Sequence, residues 1–145
     1  GMFTANTMAS ISEALGLAPL GSAAAPAEHE DRYAIAERAG RLAVDAVEND
    51  RRPSDILSKK SFENAIALQV ATGGSTNAVL HILALAAEAG VDLDITEFDE
   101  ISRQTPKIVN LQPGGTRVMN DLFEIGGVPV ILRRLLDAGC STVTR

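Results

Sequence analysis

Thr72-Gly73-Gly74-Ser75-Thr76-Asn77 is the stretch of this sequence with the clearest capacity for chemistry. A glycine pair ahead of a helix start leaves backbone N–H groups unpaired at the positive end of the helix dipole, which favours a bound anion. The stretch is not a P-loop, because no Gly-Lys-Ser/Thr follows, and it lacks the Gly-x-Gly-x-x-Gly spacing of dinucleotide-binding turns. The same six residues also serve as a helix C-cap followed directly by an N-cap. Both uses stay open at this point.

Other reactive residue types are sparse. His81, between Leu80 and Ile82, reads as a core histidine, and His29, among Glu28, Glu30 and Asp31, reads as a surface one. Asp92, Asp94, Glu97, Asp99 and Glu100 cluster, but without the Asp-x-Asp-x-Asp-Gly pattern and distal Glu of an EF-hand. Acids in a first helical turn, complementing the dipole, explain them. Cys140 has no neighbouring His or second Cys, and Ser12, Ser22, Ser58 and Ser61 stand outside any Gly-x-Ser-x-Gly elbow. One Cys and two His leave no internal disulfide and no self-contained zinc or iron–sulfur site. Taken alone, the residues present give no complete active site, and no catalytic or metal-ligating residue is assigned.

The elements that must position these residues follow from apolar spacing. Met8, Ile11, Ala14 and Leu15 share one face of a helix closed by Gly16 and Pro19. A small-residue loop over 20–27 leads to a long amphipathic helix from Glu28 to Asn49, with Ile35, Ala39, Leu42, Ala46 and Val47 on its apolar stripe. Arg51-Arg52-Pro53 breaks it, and a turn over 54–57 leads to Ser61 as N-cap of a helix using Phe62, Ala65, Ile66, Leu68 and Val70. Ser75 caps the next helix, apolar nearly all round through Val79, Leu80, Ile82, Leu83 and Leu85, which predicts burial on most sides. Gly90 is its expected stop. A short helix starts at Thr96 with Asp99 or Glu100 near the box position, and Lys107-Ile108-Val109-Asn110-Leu111 is the best strand before the Pro113-Gly114-Gly115 turn. Helices over Arg117 to Ile125 and Val130 to Ala138 complete a mostly α-helical segment with one or two short strands. Glycine turns after apolar runs are the punctuation of α/β architecture, which fits this helix count if part of a sheet lies outside the chain.

Composition bounds the partners. The sequence has 145 residues, 46% of them hydrophobic, enough for one domain with a core. Its 13 basic against 19 acidic residues argue against a nucleic-acid or anionic-membrane surface. No apolar run is long enough to span a bilayer and no secretory signal opens the chain, so a cytoplasmic setting is the expectation. The apolar opening, Gly1 to Met8, suggests a cut edge and a piece of something longer.

Four strings carry a resemblance: Gly-Met-Phe-Thr-Ala-Asn-Thr-Met (1–8), Glu-Ala-Leu-Gly-Leu (13–17), Ala-Thr-Gly-Gly-Ser-Thr-Asn-Ala-Val-Leu-His (71–81) and Gly-Gly-Val-Pro-Val-Ile-Leu-Arg-Arg-Leu-Leu-Asp-Ala-Gly (126–139). In this order they resemble the dihydroxy-acid dehydratase family, which includes phosphogluconate and sugar-acid dehydratases. The stretch Met2 to Met8 looks closer to the branched-chain-pathway member. The resemblance implies an internal piece of an α/β N-terminal domain, three-layered α/β/α, with residues 1–145 as part of that cluster-bearing domain. It implies a hydro-lyase that turns a 2,3-dihydroxy acid into a 2-keto acid, cytoplasmic, homodimeric when intact, with an iron–sulfur cluster as Lewis acid and Mg²⁺ beside it. It also implies that the cluster cysteines and the Cys-Asp-Lys motif lie before Gly1 and the base serine in a later domain. By itself the chain is then expected to be inactive, with no cofactor bound. Gly1, Met2, Phe3 and Thr4 would lie against the cluster, and Gly73, Gly74, Ser75, Thr76 and Asn77 would line the substrate pocket or merely cap a core helix. The Gly139 to Thr144 tail is shorter than the connection usual in the family. Three other readings stand beside this one: a fragment of a sugar-acid or phosphogluconate dehydratase, a non-enzymatic helical interaction module, and a small anion-binding domain using Gly74 and Ser75.

Overall fold

The structure, a computed structural model, describes residues 1–141; the expected anomaly in the tail falls partly on 142–144, outside the described residues. Eight helices account for its regular structure: α1 (Thr4–Leu15), α2 (Asp31–Glu48), α3 (Pro53–Ile56), α4 (Lys59–Thr72), α5 (Asn77–Glu88), α6 (Thr96–Gln104), α7 (Met119–Glu124) and α8 (Val128–Asp137). The helix expected from Met8 begins a turn earlier, and the one expected from Arg117 begins at Met119.

α4 is the axis of the molecule. Phe62, Ala65, Ile66, Ala67, Leu68 and Ala71 have no exposed surface, and α1, α5, α6 and α8 pack around them. Alanines at three of those positions let the neighbouring helices approach closely while Phe62, Ile66 and Leu68 fill the gaps between them. Ile11 and Leu15 of α1, Ile82 of α5, and Ile131 and Leu135 of α8 complete this core. The helix starts one turn before the expected Ser61, because Ser58 is the cap: its Oγ accepts from the Ser61 amide at 3.3 Å while the Ser58 amide donates to Ser61 Oγ at 2.8 Å. This is the reciprocal arrangement of a capping box, with Ser at the position more often held by Glu or Gln.

Three expectations are corrected. The all-round apolar helix is not buried on most sides: α5 buries Ala78, Ile82 and Ala86 and leaves Leu80 67% exposed. His81 sits on that outer face and is not a core residue. No described element covers this side, so apolarity there has no intramolecular partner. α2 starts at Asp31, three residues after the expected Glu28, and none of its residues is buried. It is held to the loop over 16–27 by Arg32 Nη1 donating to the Ser22 carbonyl at 3.0 Å and Arg38 Nη1 donating to that of Leu20 at 3.3 Å. The strand expected over 107–111 is absent as such, and the described residues hold a single isolated bridge between Leu111 and Arg117. Its amides are spent elsewhere: Ile108 and Val109 both donate to the Ala71 carbonyl, at 2.9 and 3.3 Å, satisfying the C-terminal end of α4.

The start of α6 also differs from expectation. Asp94 Oδ1 accepts from both the amide and the hydroxyl of Thr96, and Glu97 Oε1 reaches back to the Asp94 amide at 2.8 Å. The capping residue is therefore Asp94 with Glu97, not Thr96 with Asp99 or Glu100. Lys59 Nζ donates to Glu97 Oε1 and to the Asp92 carbonyl, both at 2.6 Å, tying α4 to this turn.

Candidate functional site

The end of α4 brings the two predicted groups of residues together. Gly73 takes the left-handed conformation (φ 60°, ψ 43°) in which a side chain is costly. Its amide donates to the Val70 carbonyl at 3.1 Å and that of Gly74 to Gln69 at 2.9 Å, the paired bonds of a Schellman stop. The chain then turns against the first turn of α1. A Cβ at Gly74 would lie 2.8 Å from Thr7 Cγ2 and 3.3 Å from Gln69 Cγ, so glycine is required there for contact rather than for torsion.

Across that contact runs a hydrogen-bond network. The Ser75 amide donates to Thr7 Oγ1 at 3.0 Å, and the Thr7 hydroxyl donates to the Met2 carbonyl at 3.2 Å. Asn77 Nδ2 donates to Thr4 Oγ1 at 2.8 Å, Thr4 Oγ1 and Ser75 Oγ share a hydrogen bond of 3.0 Å, and the Asn77 amide donates to Ser75 Oγ at 3.3 Å. Gln69 Nε2 donates to the Ser75 carbonyl at 3.1 Å, while its buried Oε1 has no partner among the described residues.

Counting protons shows what this network can do. The Thr4–Ser75 bond uses one of the two hydroxyl hydrogens, whichever residue donates it. The two amide groups of Asn77 fill acceptor sites on the pair, so the second hydroxyl hydrogen has no acceptor among the described residues. The site therefore offers one free hydroxyl donor, backed by amide dipoles at the start of α5. Neither hydroxyl touches a histidine or carboxylate, so the arrangement can hold a ligand oxygen and cannot activate a nucleophile.

The remaining predicted residues frame this point. Met2 is buried, with its amide donating to the Gln112 carbonyl, and a Cβ on Gly1 would meet that same oxygen at 2.8 Å. Phe3 precedes α1 and is 62% exposed. Thr76 is exposed and precedes α5, with its carbonyl accepting from the Val79 amide at 3.1 Å. Lys107 passes beside the turn: a Cβ on Gly73 would lie 3.7 Å from its Nζ, and one on Gly114 3.9 Å. Its charge complements the C-terminal end of α4 and makes this face locally positive. From sequence, residues 1–4 are expected beside a cluster and 73–77 in a pocket or a helix cap, as two separate groups, and neither includes Thr7, Gln69, Lys107 or Gln112. Of these only Thr7 had a signal, being inside the same opening string.

The other candidates lie apart. Cys140 Sγ donates to the Gln104 carbonyl at 3.4 Å, near the end of α6. The His29 ring stands edge-on to Phe123, centroids 4.8 Å apart, and its Nδ1 accepts from the Asp31 amide at 3.2 Å. Glu13, unremarkable in sequence, is buried, and its two oxygens accept from the Gly21 and Ala23 amides at 2.7 and 2.6 Å. Burial pushes its carboxyl above the ordinary range, against the opposing pull of those two amides and of Arg38.

An iron–sulfur cluster needs converging thiolates, and Mg²⁺ needs carboxylates free to ligate it. Among the described residues no three His, Cys, Asp or Glu side chains come together to hold a metal. Three of the acids that cluster in sequence are already engaged: the hydrogen bonds from Thr96 hold Asp94, and that from Lys59 holds Glu97, below the usual carboxylate range, and Arg103 Nε donates to Asp99 Oδ2 at 2.8 Å. The described residues thus do not fit as the ligand set of either group.

Comparison with known proteins gives a consistent result. The sequence matches the family model described as Dihydroxy-acid/6-phosphogluconate dehydratase N-terminal over residues 1–145. It is 77% identical over 138 residues to a dihydroxy-acid dehydratase of Natronomonas pharaonis, covering 95% of this chain and 23% of that protein. It is 76% identical over 139 residues to one of Haloarcula marismortui, covering 96% of this chain and 24% of the relative. A third, of Thermus thermophilus, is 52% identical over 139 residues, 96% of this chain and 25% of the relative. The chain thus spans about a quarter of the length of the curated relatives it matches.

Proposed function

The chain belongs to the dihydroxy-acid/6-phosphogluconate dehydratase family, in its N-terminal part, and on that premise we propose that it is part of a hydro-lyase that converts a branched 2,3-dihydroxy acid to a 2-keto acid. In this reading residues 1–145 are a portion of a three-layer α/β/α domain, the exposed outer face of α5 being covered by the rest of that domain. The intact enzyme works in the cytoplasm, in branched-chain amino-acid synthesis, as a homodimer. It takes its iron–sulfur cluster and Mg²⁺ on ligands outside this chain.

One observation carries the proposal: two segments, both in the strings that resemble the family, meet through Thr4, Ser75 and Asn77 across 71 and 73 residues of sequence. Removing water from a vicinal diol acid requires the substrate's oxygens to be held while a proton and a hydroxyl leave. The Thr4–Ser75 pair supplies a fixed hydroxyl donor for one of those oxygens, Asn77 aligns it, and Gly74 allows the close contact on which the alignment depends. Lys107 adds positive potential that suits an acid substrate. No described residue near this network is placed to take the proton, so the chain's part is positioning, and alone it is inactive.

The coding DNA directly upstream of Gly1 tests this. The proposal predicts an in-frame Cys codon within a few positions and a Cys-Asp-Lys sequence further up. A stop codon or a native start there would contradict it.

A further inference from the structure

The buried carboxyl of Glu13 has acceptor capacity that the fold does not use. Its two oxygens each take one backbone amide, from Ala23 and Gly21, whereas an ionised carboxylate offers about four acceptor sites. Arg38 acts on it only at range, and burial outweighs that pull. A buried carboxylate held in this way is stabilised by any cation that reaches it.

There is a way in. Glu13 lines a cavity of about 510 Å³ between the end of α1, the loop over 16–20, α2 and α8, within the roughly 300–1,000 Å³ of small-molecule sites. Leu20 and Leu42 wall it from the loop and from α2, and the half-buried Leu132 and Leu136 wall it from α8. Arg38 and Arg133 complete its lining and are exposed. Arg38 spends one N–H on the Leu20 carbonyl and Arg133 one on Asp137, so both guanidinium groups keep donors for an anion. Carboxylate, guanidinium and leucine walls surround one space, and a single molecule with an ammonium, a carboxylate and an aliphatic chain satisfies all three.

We propose that this cavity is a binding site for an aliphatic α-amino acid, with its ammonium on Glu13, its carboxylate on Arg38 and its side chain against the leucines. The bound molecule joins α2, which buries no residue of its own, to α8. The site does not rest on the dehydratase reading: Thr4 and Glu13 stand near opposite ends of α1, roughly 13 Å apart along its axis.

L-Leucine is the probe, titrated calorimetrically into the complete protein that contains this segment. It should bind a single site per chain with a Kd of about 1 mM or tighter, attainable for a ligand of this size. Isocaproate lacks the ammonium, isoamylamine the carboxylate and glycine the aliphatic chain; each should bind about tenfold more weakly or worse. Glu13→Gln and Arg38→Gln should each weaken leucine by about the same factor. Arg38→Gln should also erase the preference for leucine over isoamylamine, which a merely structural arginine would not do. Because Arg38 is exposed, that variant carries the test even where Glu13→Gln disturbs the loop. Hydrogen exchange should slow in α2 and α8 when leucine is added. No binding at about 20 mM leucine, well above the expected Kd, would overturn the proposal. So would isocaproate or isoamylamine matching leucine, an affinity indifferent to Arg38→Gln, or exchange protection at residues 74–77 in place of α2 and α8.

Discussion

Gly74 shows how a single missing methyl group positions a site. With 2.8 Å between its absent Cβ and Thr7 Cγ2, Gly74→Ala must push α5 away from α1 or displace Thr7. The cost expected is about 1–3 kcal/mol, the usual range for overpacking. Thr7→Ser, which deletes the opposing methyl and keeps the hydroxyl, should recover part of it in the double variant; chemical denaturation of the four proteins measures both. Ser75→Ala should behave differently. It removes the shared bond with Thr4 and leaves the Asn77 backbone amide without its Ser75 partner, so the remaining hydroxyl is no longer fixed by the pair, and in the enzyme containing this segment KM should rise about tenfold. An unchanged KM would remove Ser75 from the substrate site.

Glu13 carries a pH signature. Its folded carboxyl lies above the ordinary range because burial outweighs the amide hydrogen bonds, so the folded state binds a proton more readily than the unfolded chain. The associated stability is fully present below the unfolded pKa and is lost as pH rises through the folded one. Acidification toward the range in which the unfolded carboxyl titrates should therefore raise the Tm of the wild type relative to that of Glu13→Gln. A gap that stays constant would show that the carboxyl is not perturbed.

At the scale of elements, capping and packing account for which helices form and which are buried. Ser58→Ala removes one half of the reciprocal cap of α4 and should cost about 1 kcal/mol. Ile66→Ala, at the centre of the same helix, should cost about 2–5 kcal/mol. Both are read by thermal or denaturant unfolding. The sequence displayed most helix positions, since 3.6-residue spacing and glycine stops are local signals. Burial was less legible. α4 and α5 are both rich in apolar residues, yet only α4 is enclosed, because enclosure depends on which neighbours surround a helix and not on its own composition. The 107–111 stretch failed for a related reason: its β-branched residues suit a strand, but its amides are drawn to the open carbonyl end of α4. The candidate site was half legible. The Gly-Gly turn and the opening string announced themselves, while Gln69, Gln112 and Lys107 join them only through the tertiary fold.

For the whole molecule, the pattern of exposure fits a part of a larger assembly. Leu80 on α5 and Tyr33, Val44 and Val47 on α2 expose apolar side chains on the surfaces of two helices. An apolar dye that fluoresces on such surfaces should bind the chain, and Leu80→Lys should lower that signal without lowering Tm. No helix among the described residues is long and apolar enough to cross a membrane, so neither surface belongs to a membrane-spanning helix. The relatives are about four times longer, and on the proposed function the residues that take the proton and bind the metals are to be sought in that remainder. The most direct measurement is 2-keto acid formation from a branched 2,3-dihydroxy acid by the product of the complete reading frame through this segment, with 6-phosphogluconate as the competing substrate. Turnover of the branched acid in preference to the sugar acid is the predicted result. No keto acid from either substrate, in a folded and metal-loaded protein, would contradict the dehydratase reading.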